Sequence, residues 1–223
     1  MDPGYYRLVR KEIEWLLPER VGRVLEVGCA SGATLRWLRD HGASRTVGLE
    51  INADLADILA SNVDVPLVGD AAQVERAAEH GPYDLILFLD VLEHLVDPWS
   101  TLGAYRALLA PAGGIIVSVP NIAHYSIIKG LVQSRFTYRD DGILDRTHLR
   151  FFVLPTTLEL MEGADLKVDR IAHMLGSDRR LNRWAHALSG GKIRGRLAVQ
   201  HIVRGVAPED FRGPVAQRDL WRE

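Results

Sequence analysis

Residues 23–41 read RVLEVGCASGATLRWLRDH, and this stretch decides the fold. A compact apolar run, Arg23 to Val27, gives way to the small residues Gly28 to Gly32, after which Leu35 and Leu38 recur at helical spacing. Such an order predicts a strand, a tight turn and a helix. The unit recurs outward from here. Thr46 to Glu50 precedes a helical stretch around Asp54 to Ala60, Pro66 to Val68 one around Ala71 to Glu79, and Asp84 to Leu89 one from Pro98 to Leu109. Asp84 to Leu89 is apolar at nearly every position, as a strand covered on both faces requires. Ile115 to Val119 makes a fifth strand, and Leu166 to Ile171 and Leu197 to Val203 complete seven, the last expected at the sheet edge. Upstream, Val9, Ile13, Leu16 and Leu17 follow helical spacing and stop at Pro18. The fold class is therefore α/β, a doubly wound, mostly parallel sheet.

The alternation breaks after Pro120, so residues 121–155 read as an inserted cap of helix (Ile122 to Val132) and polar loop, above the carboxyl ends of the strands where open α/β sheets bind ligands. Residues 1–223 are expected to form one domain, with 176–223 as a C-terminal extension. With 27 basic against 29 acidic side chains, the net charge of −2 offers no global field for nucleic acid. Nor is there an apolar run of membrane-spanning length or a signal-peptide pattern, so a cytoplasmic protein without a membrane partner is expected. A single cysteine, Cys29, excludes an internal disulfide and a multi-cysteine zinc site.

The loop after the first strand is Glu26-Val27-Gly28-Cys29-Ala30-Ser31-Gly32, an acid followed by G-x-A-x-G. A dinucleotide loop wants glycine where Ala30 and Ala33 stand, which weakens a pyrophosphate reading and with it a nicotinamide-dependent oxidoreductase. A cationic ligand with an amino-acid end, such as S-adenosylmethionine, suits the acid better. Glu50, ending strand two, is placed for ribose hydroxyls, and Asp70, in Gly69-Asp70-Ala71, for an adenine amino group, since a carboxylate only accepts.

These segments, with YDLILFLDVLEHLVDP (83–98) and LLAPAGGIIVSVPN (108–121), resemble the ordered motifs of class I S-adenosylmethionine-dependent methyltransferases, with the likeness spanning roughly residues 5–175. The resemblance implies a Rossmann-like sheet and S-adenosyl-L-methionine as cofactor. It implies a cofactor site of Tyr6, Glu26, Gly28, Cys29, Ala30, Gly32, Glu50, Ile51, Asp70, Ala71, Leu89 and Asp90, with Tyr5 beside Tyr6 closing over it. Ala30 departs from the glycine common there. The run Gly142 to Phe152, GILDRTHLRFF, resembles an acceptor-side loop of a bacterial subgroup that modifies sugars and natural products.

Methyl transfer to a hydroxyl needs alignment and a base, and histidine is the natural base near neutral pH. His148 is taken as that base, Asp145 as its orienter, and His124 as a further catalytic candidate. No residue is assigned to a metal in this reading. The alternative is divalent-metal-assisted O-methylation through Asp90, Glu93, His94 and His148, resembling the cluster of ubiquinone-biosynthesis O-methyltransferases; N-methylation and a non-catalytic cofactor-binding partner are the others. Arg179, Arg180, Arg183, Lys192, Arg194, Arg196 and Arg204 form a run without acids suited to a phosphate-bearing or carrier-linked small-molecule acceptor. Phe211, Leu220 and Trp221 in the tail are exposed unless they dock on this core or on a partner chain such as the second copy of a homodimer.

Overall fold

The computed structural model describes residues 8–176 and 187–221. Its centre is one eight-stranded sheet in the order β3-β2-β1-β4-β5-β7-β6-β8. Strands β1 (Arg23–Val27), β2 (Arg45–Glu50), β3 (Val65–Val68), β4 (Tyr83–Leu89) and β5 (Leu109–Pro120) run parallel. β7 (Ala198–Val206) inserts antiparallel between β5 and β6 (Lys167–Leu175), and β8 (Ala216–Trp221) runs parallel to β6 on the outside. The expected Rossmann-like sheet is thus present, with an eighth strand added. Leu197 to Val203 does not lie at the edge. Its residues are buried on both faces, with His201, Ile202 and Val203 all closed to solvent, and the edge falls to β8.

Alternation along the strands sends side chains to two separate cores. On one face Leu25, Ile86, Phe88, Ile115 and Val117 pack beneath helices α3 (Val74–Ala78), α4 (Pro98–Arg106) and α6 (Leu154–Gly163). On the other, Val24, Leu85, Leu87 and Ile116 meet Leu35 and Leu38 of α1 (Ala33–Asp40) and Leu59 of α2 (Ala56–Asn62). The upstream helix is a 3-10 turn, Lys11–Leu16, which buries Ile13 and Leu16 and ends as Leu17 turns extended before Pro18.

The inserted segment carries helix α5 (Tyr125–Val132), which begins at Tyr125 because His124 caps it, not at Ile122. The segment is tied down twice: Ile122 N–H donates to Phe152 O at 2.9 Å, and the Leu149 and Arg150 amides donate to Glu93 O at 2.8 and 2.9 Å. It stands beside the carboxyl ends of β4 and β5.

Candidate active site

The turn from β1 into α1 is built from left-handed backbone. Gly28, Ala30 and Gly32 have φ of 69°, 49° and 75°, and a Cβ on Gly28 would lie 2.5 Å from Val91, one on Gly32 2.8 Å from Val63. Both glycines are therefore obligatory; Ala30 takes the same region at a cost of about 1–2 kcal/mol. Glu50 offsets that strain. One of its carboxylate oxygens accepts the Ala30 N–H at 2.8 Å and the other the Asn52 N–H at 2.8 Å, so the buried acid ending β2 holds the loop shape as well as bordering the site.

A cavity of about 640 Å³ opens over this turn, within the range of a nucleoside-sized ligand. Glu26, Gly28, Cys29, Ala30, Leu89 and Asp90 line it, which brings together six of the cofactor residues expected from sequence. Gly32, Glu50 and Ile51 stand around the same loop; Ile51 is 67% exposed and offers a flat apolar surface. Asp70 and Ala71 lie after β3, where the Asp70 carboxylate accepts the Ala72 N–H at 2.8 Å. Tyr5 and Tyr6 lie outside the described residues. The Cys29 thiol, buried beside Glu26 and Glu50, is pushed well up and is not a nucleophile.

Glu26 carries the clearest mark of a cationic ligand. It is buried, its Oε2 has no hydrogen-bond partner, and burial pushes its carboxyl up to about 8 against the pull of Arg10. An orphaned carboxyl at the floor of the cavity fits an ammonium or sulfonium group.

Sequence reading missed Arg10 and Gln200. Arg10 reaches across the cavity to Asp90 at 2.7 Å and to Ser118 Oγ at 3.3 Å, and Gln200 Nε2 donates to the other Asp90 oxygen. Asp90, at φ 60°, is held in this strained conformation by those donors. Leu220 and Trp221 of β8 close the far wall. No local pattern marks contacts 80 to 110 residues apart.

In the inserted segment, His148 Nδ1 lies 3.2 Å from the Ile143 carbonyl, which can only accept; Nδ1 therefore carries the hydrogen and Nε2 the free lone pair. Burial, then the nearby His94, lowers its basicity, so the ring is neutral near pH 7. Asp145 Oδ1 accepts the Thr147 N–H and Oγ–H at 2.8 and 2.7 Å, and Thr147 in turn bonds His94; toward His148 the carboxylate acts through its charge, which raises the imidazole's basicity, rather than through a hydrogen bond. His124 caps α5: its Nδ1 lies 2.8 Å from Ser126 Oγ and 3.4 Å from the Ser126 amide nitrogen, and its Nε2 is buried without a partner.

Glu93, His94 and His148 offer ligand atoms within 4.8 Å of one another. Both Glu93 oxygens are buried without a partner, and burial with Asp90 nearby pushes this carboxyl well up. Asp90 is not in the group, since Arg10 and Gln200 occupy it. Two cations of the basic run are paired within the chain: Arg194 with Asp219 at 2.7 Å and Arg204 with Asp169 at 2.5 Å. Arg179, Arg180 and Arg183 lie outside the described residues.

A methyltransferase-domain family matches residues 3–171. A ubiquinone biosynthesis O-methyltransferase of Escherichia coli is 29% identical over 172 residues, covering 72% of this chain and 69% of that protein. The protein of the same description from Citrobacter koseri is 29% identical over 161 residues, covering 69% and 64%. Among solved structures, an S-adenosylmethionine-dependent methyltransferase from Archaeoglobus fulgidus superposes with a TM-score of 0.64 at 16% identity, covering 88% and 90% of the two chains. One from Mesorhizobium loti gives 0.61 at 18%, covering 87% and 95%, and at these identities the likeness is one of fold.

Proposed function

The chain belongs to the class I S-adenosylmethionine-dependent methyltransferases, and from that premise we propose that it methylates a hydroxyl of a small molecule, a sugar or natural product, with His148 as the base. When bound, S-adenosylmethionine supplies a methyl carbon already activated by its sulfonium. In this reading Glu26 faces the methionine end, Glu50 the ribose, Ile51 one side of the adenine, and Asp70 its amino group. The loop Gly28 to Gly32 admits the ligand close to backbone. Residues 1–223 act as one domain, 121–155 covering the acceptor and 176–223 walling the cavity through Leu220 and Trp221.

The observation that carries the base is the His148 tautomer: Nδ1 is tied to the Ile143 carbonyl and Nε2 is left to take the acceptor's proton. The O-methyltransferase description of the relatives favours oxygen over nitrogen. Arg194 and Arg204 are paired within the chain, so a phosphate-bearing acceptor would fall to the other cations of the basic run. The test is a panel of hydroxylated acceptors, reading S-adenosylhomocysteine release. His148→Ala should lower kcat by about 10²–10⁴ while cofactor affinity holds. Unchanged kcat across pH would remove His148 from the chemistry.

A second reading rests on the orphaned Glu93 carboxylate between two imidazoles. Glu93, His94 and His148 would hold a divalent cation, which supplies Lewis acidity at an acceptor oxygen. His148 cannot be both ligand and base. Chelation separates the readings: loss of turnover restored by added Mg²⁺ or Mn²⁺ supports the metal, and unaffected turnover removes it.

A further inference from the structure

Asp90 begins the turn out of β4 with a φ of 60°, a left-handed conformation that an L-residue keeps only where its surroundings impose it. Its N–H donates to the Ser118 carbonyl at 3.1 Å, and Arg10 Nη1 reaches its Oδ2 at 2.7 Å. The Gln200 side-chain amide and, at 3.4 Å, Ser118 Oγ donate to its Oδ1. A carboxylate only accepts, so the NH2 of Gln200 and not its carbonyl faces Asp90. The shape of this turn bears on the cofactor loop, because Val91 packs so closely on Gly28 that a Cβ there would stand 2.5 Å from it.

The two side chains that grip Asp90 from afar differ in what holds them. Arg10 precedes the 3-10 turn and divides its guanidinium between Asp90 and Glu12. Gln200 is buried in β7, between Pro120 of β5 and Met174 of β6. Asn121 pins the entrance to that strand by donating to the Gly195 and Ala198 carbonyls, both at 2.7 Å. Gln200 is therefore a donor fixed on a rigid element, and a neutral amide orients a carboxylate without supplying a counter-charge. It lines the same cavity as Glu26, Gly28 and Asp90, yet lies beyond residue 171, where the family match ends.

We propose that Gln200 is a positioning residue of the cofactor site: through Asp90 it fixes the turn after β4 against Gly28 and holds the carboxylate for the amino-acid end of S-adenosylmethionine. Strand β7 is then part of the cofactor site as well as of the sheet. The inference rests on the cofactor; neither His148 nor the acceptor enters it.

The experiment is calorimetry of the full chain with S-adenosylmethionine and with methylthioadenosine, which has the nucleoside but lacks the amino-acid end. Gln200→Met keeps the side chain's length and removes the donor. It should weaken S-adenosylmethionine binding about ten-fold, the worth of a hydrogen bond to a charged group, and leave methylthioadenosine within about two-fold of wild type. In an Asp90→Gly background, where neither carboxylate nor strain remains, adding Gln200→Met should cost nothing further. Gln200→Glu carries the test should Gln200→Met fail to fold. Its carboxyl donates to Asp90 while protonated and repels it once ionised, so S-adenosylmethionine affinity relative to wild type should fall between about pH 5 and pH 8. Arg10, Lys11, Glu12, Glu26 and Asp90, the charged groups lining the cavity, are common to both chains and leave that ratio unaffected. Unchanged affinity in Gln200→Met overturns the inference. So does an equal loss for methylthioadenosine, an additive loss on Asp90→Gly, or a ratio for Gln200→Glu that does not vary with pH.

Discussion

Glu26 sits where two requirements conflict. It must be dry to hold a cation tightly, and dryness raises its carboxyl from the ordinary 4.5 to about 8. A raised acid stabilises the folded state fully below about pH 4.5, and that contribution is lost as pH rises toward 8. Glu26→Gln should therefore flatten the fall in unfolding midpoint between these limits. A cationic ligand favours the carboxylate, so S-adenosylmethionine binding near pH 7 should release a proton, seen by calorimetry in two buffers of different ionisation enthalpy. Binding without proton release would place the cation elsewhere. Ala30 offers a second residue-scale test. Its φ of 49° suits glycine, so Ala30→Gly should raise stability by about 0.5–1 kcal/mol in denaturant melts. The glycine pattern, Glu26 and Glu50 were legible from sequence because they follow one strand end in chain order. Arg10 and Gln200 were not, since only the folded sheet brings them to Asp90.

At the scale of elements, the parallel strands were readable because each is an apolar run followed by a helix. β8 was not. Its sequence AQRDLW mixes polar and apolar positions, and what makes it a strand is tertiary: Arg194 bonds Gln217 and Asp219, and Leu220 joins the core beside β6. Removing residues 212–223 should leave the rest of the sheet folded, because β8 is outermost, while cofactor or acceptor affinity falls with Leu220 and Trp221. Binding isotherms on the shortened chain check this. Inside the sheet, His173 and His201 meet at 3.0 Å across β6 and β7, and burial lowers His201 to about 3. A depressed imidazole contributes stability that is present above about pH 6.5 and lost as pH falls toward 3. Between about 6.5 and 4.5 this loss runs against the gain from Glu26; below about 4.5, where Glu26 adds no further slope, acidification should destabilise the protein by up to about 1.4 kcal/mol per pH unit, and His201→Gln should reduce that slope.

For the whole molecule, one sheet edge gathers the ends of β1, β2 and β4 with the inserted segment, and the return of β7 and β8 walls the cavity they leave. The shared sheet is what these distantly similar chains have in common. Chain-order motifs therefore identified the cofactor, whereas His148 and its neighbours meet only through folding of the cap onto Glu93. Methyl-¹³C-labelled S-adenosylmethionine, incubated with the hydroxylated acceptor panel and followed by carbon NMR, tests the central claim most directly. The account predicts a methoxy carbon formed in step with S-adenosylhomocysteine, and its loss in His148→Ala. A methyl carbon on nitrogen, or a methoxy signal formed at the wild-type rate by His148→Ala, would contradict it.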